Sequence, residues 1–288
     1  MQQTIAYRQI GIVGTGRVAR ALALALHRHC AEPLMLWGRD PDQARTVAGN
    51  MGLVQAAESL ATFTACDLIL IAVSDDALAA VIAALAAAGP SSAFACHVSG
   101  RSGAAILAPL RDRGMLTAAI HPAMTFTGDP DREVARMAGA RFVITGDGPA
   151  ATHAAEQLVA LLHGVPEYVA EAQRPLYHAA LCHAANHLVT LLAGSCDALK
   201  MAGVADPQAL IGPLVRAALE NSLDRGFAAL SGPLLRGDEA TIRDHLTALA
   251  ADSPALLPPY RAMARATLDQ LASTGRPPAA PSLAHLLD

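Results

Sequence analysis

The stretch that decides the fold of the first half of the chain is Ile10-Gly11-Ile12-Val13-Gly14-Thr15-Gly16-Arg17-Val18-Ala19. Residues Gln9–Val13 are predicted to form a short buried strand, and the apolar spacing over Arg17–His29 predicts a helix directly after it. Gly14 permits a tight turn, Gly16 lets the backbone approach a phosphate, and Ala19 is small enough for the helix to pack closely on the strand. This strand–turn–helix context indicates a dinucleotide site, with the pyrophosphate on the helix N-terminus.

The end of the second predicted strand bears on the choice of cofactor. The chain there reads Trp37-Gly38-Arg39-Asp40, where a protein that prefers NAD usually has a carboxylate for the ribose 2′-hydroxyl. The guanidinium of Arg39 suits a 2′-phosphate, so we expect NADP(H). Arg39 is alternatively a surface residue, and Asp40 also fits an N-cap because Pro41 follows it.

A third segment completes the predicted cofactor site. Val73 ends the apolar, β-branched run Asp67–Val73, which predicts a central strand, and Ser74 follows it. Ser74 either touches the ribose or caps the next helix. The residues predicted to bind cofactor are Gly14, Thr15, Gly16, Arg17, Val18, Arg39, Val73 and Ser74.

The hydrophobic pattern divides the chain in two. Up to about Tyr168, strand and helix patterns alternate, which predicts a Rossmann-type α/β domain with a doubly wound, mostly parallel sheet. From Glu171 onward the pattern is helical only, with turn residues between helices. We therefore expect a dinucleotide domain over residues 1–168, an all-α substrate and dimerisation domain over 169–272, and a loosely held tail over 273–288 with three prolines.

Composition excludes several classes of protein. Of the 288 residues, 53% are hydrophobic and 16% charged, which argues against a disordered chain. A net charge of −4 and few aromatics argue against a nucleic-acid partner. We see no signal peptide, and the apolar run Ala77–Gly89 is too short to span a bilayer. The five cysteines lack paired spacing, so we expect reduced thiols, no metal centre and a cytoplasmic location.

Four further segments carry a family resemblance. They are His97-Val98-Ser99-Gly100, His121-Pro122-Ala123-Met124-Thr125-Phe126, Tyr177-His178 through Asn186-His187, and Ser231-Gly232-Pro233 through Arg236-Gly237-Asp238. With them the chain resembles a bacterial Rossmann-like family that has a C-terminal domain of unknown function 2520. More broadly it resembles the 6-phosphogluconate dehydrogenase-like superfamily, which includes hydroxyisobutyrate dehydrogenases, ketopantoate reductases and pyrroline-5-carboxylate reductases.

The resemblance implies candidate site residues in the first domain. Ser99-Gly100 matches the Ser-Gly that contacts substrate carboxylate in hydroxyisobutyrate dehydrogenases, although an ordinary turn has the same sequence. His121 is at a predicted strand end, where it is either an acid or base or a buried histidine bonded to backbone.

The long helix after Glu171 carries the catalytic candidates. His178, Cys182 and Asn186 share one face at spacings of four residues. Superfamily dehydrogenases place a lysine about one turn before an asparagine here, and Asn186 matches the asparagine. The matching turn holds Cys182-His183 and no lysine, so we expect His178 to replace the proton donor; core packing is the alternative. His183 and His187 have metal-ligand spacing but no third ligand, so we expect no metal.

Arg236 lies between two predicted helices, where it either clamps a substrate carboxylate or is a surface residue beside the helix-capping Asp238. In pyrroline-5-carboxylate reductases the helical domains interlock as dimers, and helices that are apolar on several faces favour a homodimer here too. We expect an NADP(H)-dependent oxidoreductase that acts on a small, carboxylated carbonyl, imine or alcohol. The alternatives are a dinucleotide sensor without catalysis and a deazaflavin-dependent reductase.

Overall fold

The computed structural model describes residues 5–89, 91–275 and 282–288. It separates into two compact units, Met1–Cys182 and His183–Asp288. The division falls inside a helix rather than after residue 168, where the sequence pattern changes from mixed to helical. The reason is that the start of this helix belongs to the first unit, where the Arg174 side chain is fully buried.

The first unit is built on one eight-stranded sheet. In chain order its strands are β1 (Ile10–Val13), β2 (Leu34–Trp37), β3 (Val54–Ala56), β4 (Leu68–Ile71), β5 (Phe94–His97), β6 (Leu116–Pro122), β7 (Arg141–Gly146) and β8 (Val165–Tyr168). Their order across the sheet is β3-β2-β1-β4-β5-β6-β7-β8, and every pair is parallel except β6 with β7. The predicted α/β Rossmann class is confirmed.

Helices cover both faces of this sheet. They are α1 (Arg17–Leu26), α2 (Pro41–Met51), α3 (Asp75–Ala87), α4 (Ala108–Arg111), α5 (Pro130–Met137) and α6 (Pro149–Leu161). Strands β1, β4 and β5 are buried at every residue because they lie between two helical layers, which explains their continuous apolar sequences. One core cluster includes residues of α1 and α6, and the other includes residues of α3.

Strands β3 and β8 are not among the strands expected from sequence. Both lie at the edges of the sheet. The three residues of β3 are too few to show a period, and β8 contains Pro166 and is largely exposed. Edge strands tolerate proline and need no continuous apolar pattern, so neither segment carries a strong strand signal.

The second unit is helical, as expected. Helix α7 (Arg174–Met201) enters it from the first unit, followed by α8 (Pro207–Arg225), α9 (Pro233–Arg236), α10 (Glu239–Asp252), α11 (Leu257–Ser273) and α12 (Leu283–Leu286). Its buried core is small and comes from α10, α11 and the C-terminal segment; the members are Ile242, Leu246, Ala264, Leu268, Leu271, Leu283 and Leu287.

The C-terminal segment corrects one expectation. Leu283 and Leu287 are fully buried, and Arg265 donates hydrogen bonds to the Leu287 carbonyl and, at 2.8 Å, to Asp288 Oδ1. Residues 282–288 are therefore packed rather than loosely held, since two leucines anchor them in the core. The prolines at 277, 278 and 281 lie outside the described residues.

Within the described residues, one helical segment, Glu171–Met201, is long and apolar enough to cross a membrane by length and composition. These two properties alone do not distinguish a membrane span from a helix that is covered by another protein chain.

Candidate functional site

The glycine turn after β1 is held by packing on the sheet. Gly14 has a φ of +130°, and its N–H donates to the Trp37 carbonyl at 2.7 Å. A Cβ at Gly14 would collide with the backbone carbonyl oxygen of Ala72. Ala19 is fully buried beneath the turn. Packing within the protein thus explains on its own why positions 14 and 19 hold the small residues Gly14 and Ala19.

Packing within the protein does not explain why Gly16 is a glycine. It is exposed and in extended conformation at the N-cap of α1, and a Cβ there would meet no protein atom within 4 Å. No side chain caps this helix terminus. The missing side chain therefore leaves the first N–H groups of α1 open to a molecule outside the protein.

A cavity of about 740 Å³ begins at this turn. Its volume falls within the range of roughly 300–1,000 Å³ that is usual for small-molecule sites. It is lined by residues from three strand ends, and these include Gly14, Thr15, Gly16, Arg39, Val73 and Ser74. The structure thus brings together six of the eight residues that the sequence suggested for the cofactor.

The other two lie beside the cavity rather than along it. The Arg17 guanidinium donates to the Phe126 carbonyl at 3.3 Å, and Val18 packs against the core. Arg39 is exposed and, within the described residues, has no hydrogen bond or ion pair. Asp40 caps α2 by accepting from the N–H groups of Asp42 and Gln43, so Asp40 is the expected N-cap, and contact of Arg39 with a 2′-phosphate stays a prediction. Ser74 stands at the N-cap of α3 but makes no side-chain capping bond.

The loop after β5 is organised around His97. This imidazole is fully buried; its Nε2 lies 2.9 Å from the Gly103 carbonyl, and its Nδ1 lies 3.2 Å from the Ser99 N–H. The Ser99 hydroxyl accepts from the Ser102 N–H at 3.2 Å. The Ser99–Gly100 turn is therefore held on both sides by local hydrogen bonds.

His121 and His178 meet at this turn. The two imidazole centroids are 6.0 Å apart and the rings are nearly perpendicular. A Cβ at Gly100 would lie 2.5 Å from His178 Cδ2 and 2.9 Å from His121 Nε2, so only glycine lets both rings approach the backbone. His121 Nδ1 is 2.7 Å from the Tyr177 hydroxyl, and Cys182 Sγ is 3.7 Å from His178 Nε2.

A buried cation, Arg174, holds this cluster together. Its guanidinium donates to the backbone carbonyls of Ser99, Gly100, Ala119 and Val143 at 3.1–3.5 Å, and to Thr145 Oγ1 at 2.9 Å. It also lies 5.9 Å from the centroid of the Tyr177 ring. Arg174 thereby fixes the first turn of α7 against the ends of β5, β6 and β7.

The electrostatics of the cluster keep its buried imidazoles neutral. Burial lowers the pKa of His97 to about 4, and the Arg174 cation adds to this effect. The pKa of His121 is also lowered to about 4, first by burial and then by Arg174 and His178. Burial raises the pKa of the Tyr177 phenol, which therefore stays protonated. At neutral pH these groups can exchange hydrogen bonds without carrying charge.

The remaining predicted site residues lie in the second unit. Asn186 is exposed on α7, and Arg236 is exposed at the end of α9 next to Asp238, which caps α10. His183 and His187 contact each other at 3.0 Å between their Nδ1 atoms. No group of three potential metal ligands occurs in the part of the chain that the structure describes.

Sequence reasoning missed Arg174 and Tyr177. Both precede His178 on α7, and Tyr177 lies within one of the segments that carry the family resemblance. Their partners are 29 to 75 residues away along the chain, so no local spacing reveals the contacts. The only available signal was a charged residue on a helix that is otherwise strongly apolar.

The fold and the glycine turn define a Rossmann-type α/β protein with a helical C-terminal region. In agreement, residues 2–122 match the Rossmann-like domain family and residues 140–267 match the domain of unknown function DUF2520. The chain thus contains both domains, one after the other. No curated protein sequence matches it.

Several solved structures share the fold over most of the chain. BF3122 from Bacteroides fragilis, provisionally described as an NADP oxidoreductase, has a TM-score of 0.76 at 22% identity and covers 92% of this chain and 99% of its own. A reductive aminase from Aspergillus terreus, in complex with NADPH and ethyl-5-oxohexanoate, has a TM-score of 0.68 at 17% identity, with coverage of 97% and 98%. An imine reductase from Myxococcus stipitatus, in complex with NADP+, has a TM-score of 0.65 at 16% identity, with coverage of 97% and 100%.

The lowered histidine pKa values predict a pH dependence of stability. Unfolded, each imidazole regains a pKa of about 6.5, so the unfolded chain binds more protons than the folded one between pH 6.5 and 4. Stability should therefore fall as the pH drops through this window, and His97 should contribute on the order of 3 kcal/mol to that fall. Urea unfolding of His97→Gln from pH 7 to 4 should show a shallower loss than the unsubstituted chain. Parallel pH profiles would contradict the prediction.

Proposed function

We propose that the chain binds NADP(H) in the 740 Å³ cavity, with the pyrophosphate on the N-terminus of α1. The observation that carries this is Gly16: nothing in the protein occupies the space of its missing side chain. A turn that only had to pack on the sheet would need a glycine at Gly14 but not at Gly16. The likeness to structures solved with NADPH and NADP+ supports the same cofactor.

Arg39 supports the phosphorylated form of the cofactor. It lines the cavity directly after β2, and its guanidinium has no partner among the described residues. The neighbouring carboxylate, Asp40, is engaged by two backbone N–H groups of α2. A free guanidinium beside an occupied carboxylate favours a 2′-phosphate over a 2′-hydroxyl.

We propose further that the protein is an oxidoreductase for a small, carboxylated carbonyl, imine or alcohol. The carboxyl ends of β1, β4, β5 and β6 are neighbours in the sheet, so Gly14, Ser74, Ser99 and His121 follow one another along a single edge. Adjacent strands are about 4.8 Å apart, which places the histidine cluster roughly 14 Å from the glycine turn. Bound there, the cofactor supplies a hydride.

The side chains would then divide the remaining tasks. Ser99 and the backbone at Gly100 bind and orient the substrate, and His121 and His178 hold or donate hydrogens beside it. Asn186 and Arg236 lie in the second unit, and the roles that the resemblance implies for them, orienting a substrate and binding its carboxylate, stay predictions.

One observation favours a second candidate, a dinucleotide sensor without catalysis. The turn that precedes Asn186 carries Cys182-His183 and no lysine. A sensor would bind NADPH without oxidising it. Steady consumption of NADPH, followed at its absorbance band with a panel of keto acids, imines and aldehydes, decides between the two: turnover with any of them excludes the sensor.

Substituting the glycines separately tests the cofactor site. Gly16→Ala should fold normally, because no protein atom opposes the new methyl, but it should weaken NADPH binding about tenfold or more by blocking the phosphate. Isothermal titration calorimetry measures this. Gly49→Ala is the matched control, since a Cβ there also meets nothing. An unchanged NADPH affinity in Gly16→Ala would remove the proposed site.

The role of Arg39 makes a separate prediction. Arg39→Ala should weaken NADPH binding by roughly 1.5–3 kcal/mol, the usual range for a hydrogen bond to a charged group, and leave NADH nearly unchanged. Arg45→Ala serves as the control, because Arg45 is also exposed but pairs with Asp42 at 2.5 Å on α2. An equal loss for both cofactors would mean that Arg39 does not contact the 2′-phosphate.

We also propose that the chain is a homodimer through its helical region. Helix α8 has 19 residues and, among the described residues, buries only Pro207, although most of the stability of a helix in a protein comes from packing of its apolar face. Its exposed leucines are large and apolar: Leu210, Leu214, Leu219 and Leu223. Val189 and Met201 of α7 are also more than half exposed. A second copy of the chain would cover these surfaces.

Charged substitutions on α8 test the dimer. Leu214→Glu combined with Leu223→Glu should convert a dimer into a monomer, because burying two unpaired carboxylates opposes association. Light scattering at micromolar concentration measures the mass. Gln208→Glu, an exposed position on the same helix, should leave the dimer intact. A monomeric unsubstituted chain would contradict the proposal.

A further inference from the structure

The contact between Tyr177 and His121 has a definite polarity. The phenol oxygen lies 2.7 Å from His121 Nδ1, and the two rings are nearly perpendicular with centroids 5.7 Å apart. Within the described residues this is the only hydrogen bond of the Tyr177 hydroxyl. If Nδ1 carried the proton, the phenol O–H would have no acceptor in the protein. Donation from the phenol to Nδ1 satisfies both groups.

At the end of β5, the imidazole of His97 is held in the corresponding tautomer. His97 donates from Nε2 to the Gly103 carbonyl, and its Nδ1 accepts the Ser99 N–H. There the backbone selects the tautomer, because a carbonyl can only accept and an N–H can only donate. At His121 a side chain, Tyr177, takes the place of the backbone donor.

We propose that Tyr177 is a positioning residue that holds His121 as the neutral Nε2–H tautomer, so that His121 offers a hydrogen-bond donor to the substrate beside Gly100. The ligand class that follows is a group with a lone pair, such as a carbonyl oxygen or a carboxylate. The binding of a substrate by His121 Nε2–H rests on the proposed function, whereas the tautomer of His121 does not.

The surroundings of Nε2 fit this role. In the described part of the chain, Nε2 has no hydrogen-bond partner, and a Cβ at Gly100 would fill the space 2.9 Å from it. The charged and titratable groups that act on the ring are Arg174, His178, Asp75 and His97. Arg174 is buried and has no ion pair with any residue that the structure describes, and Asp75 lies 3.7 Å from the guanidinium of Arg101.

These charges also influence which class of ligand can bind beside His121. A buried cation near the ring repels a cationic ligand and attracts an oxygen that bears negative charge. Burial first, and then Arg174 and His178, lower the pKa of His121 to about 4, so the ring donates a hydrogen bond at neutral pH without being charged. A carbonyl or carboxylate oxygen therefore suits the site better than an ammonium group.

Nitrogen-15 NMR of the histidine rings in the full chain tests the tautomer. The His121 signals are assigned as those lost in His121→Asn among the 11 histidines. We expect the proton on Nε2 and an Nδ1 resonance displaced by the phenol hydrogen bond. In Tyr177→Phe the Nδ1 resonance should move towards that of a free imidazole nitrogen, and the Nδ1–H form should appear. A proton on Nδ1 in the unsubstituted chain, or unchanged signals in Tyr177→Phe, would overturn the proposal.

The chain provides a matched control for this experiment. Tyr260 contacts His245 Nδ1 at 2.8 Å with ring centroids 5.9 Å apart, the same arrangement in the second unit. Tyr260→Phe should change the His245 signals and leave those of His121 in place. If Tyr260→Phe moved the His121 signals as much as Tyr177→Phe does, the effect would be a general loss of structure rather than loss of one hydrogen bond.

Small probes test the ligand class. Acetate should shift the His121 Nε2–H resonance in the unsubstituted chain, and methylammonium should not; the reverse result would overturn the assignment of an acceptor ligand. Calorimetry with NADPH on the unsubstituted chain separates this proposal from the proposed function. Failure of the unsubstituted chain to bind NADPH would remove the proposed function, while the NMR result would still decide the tautomer.

Discussion

A single buried guanidinium determines the geometry of the histidine cluster. Arg174 is fully buried, has no ion pair within the described residues, and donates to four carbonyls and one hydroxyl. A desolvated cation is tolerated only when hydrogen-bond acceptors surround it, so these five oxygens and the guanidinium constrain one another. Because Tyr177 and His178 follow three and four residues later on the same helix, the position of Arg174 sets theirs.

The acceptors of Arg174 also explain why the cluster includes residues from several strands. Ser99 and Gly100 follow β5, Ala119 lies in β6, and Val143 and Thr145 lie in β7. The antiparallel pairing of β7 with β6 brings Val143 beside His121 in the sheet. Removal of the cation would take a charged donor away from each of these oxygens, and a hydrogen bond to a charged group contributes about 1.5–3 kcal/mol. Burial first, and then the same Arg174 cation that holds α7 on the sheet, lower the pKa of His97 and His121 and so keep both imidazoles neutral.

The sequence revealed the local packing of the glycine turn better than the contacts of the histidines, and the reason is the range of those contacts. Gly14, Gly16 and Ala19 act within one strand–turn–helix segment, and Asp40 with Pro41 forms a cap within one turn, so spacing alone reveals them. His121, Tyr177 and Arg174 meet only after the sheet has formed. Sequence spacing on α7 correctly placed His178 and Cys182 on one face, but it could not show that Tyr177 reaches His121. The edge strands β3 and β8 were missed because neither is buried enough to require an apolar pattern.

The continuity of α7 connects the two parts of the molecule energetically. Its first turns belong to the first unit and are fixed by Arg174, while its later turns, with Val189 and Met201, are largely exposed. An α-helix is hydrogen-bonded along its whole length, so fraying of the exposed turns propagates towards His178 and Cys182 unless something restrains it. A partner that covers the exposed face would restrain those turns. The arrangement of the imidazoles at Gly100 therefore depends on the start of this helix, which Arg174 fixes on the sheet, and burial of the later turns would add to that restraint.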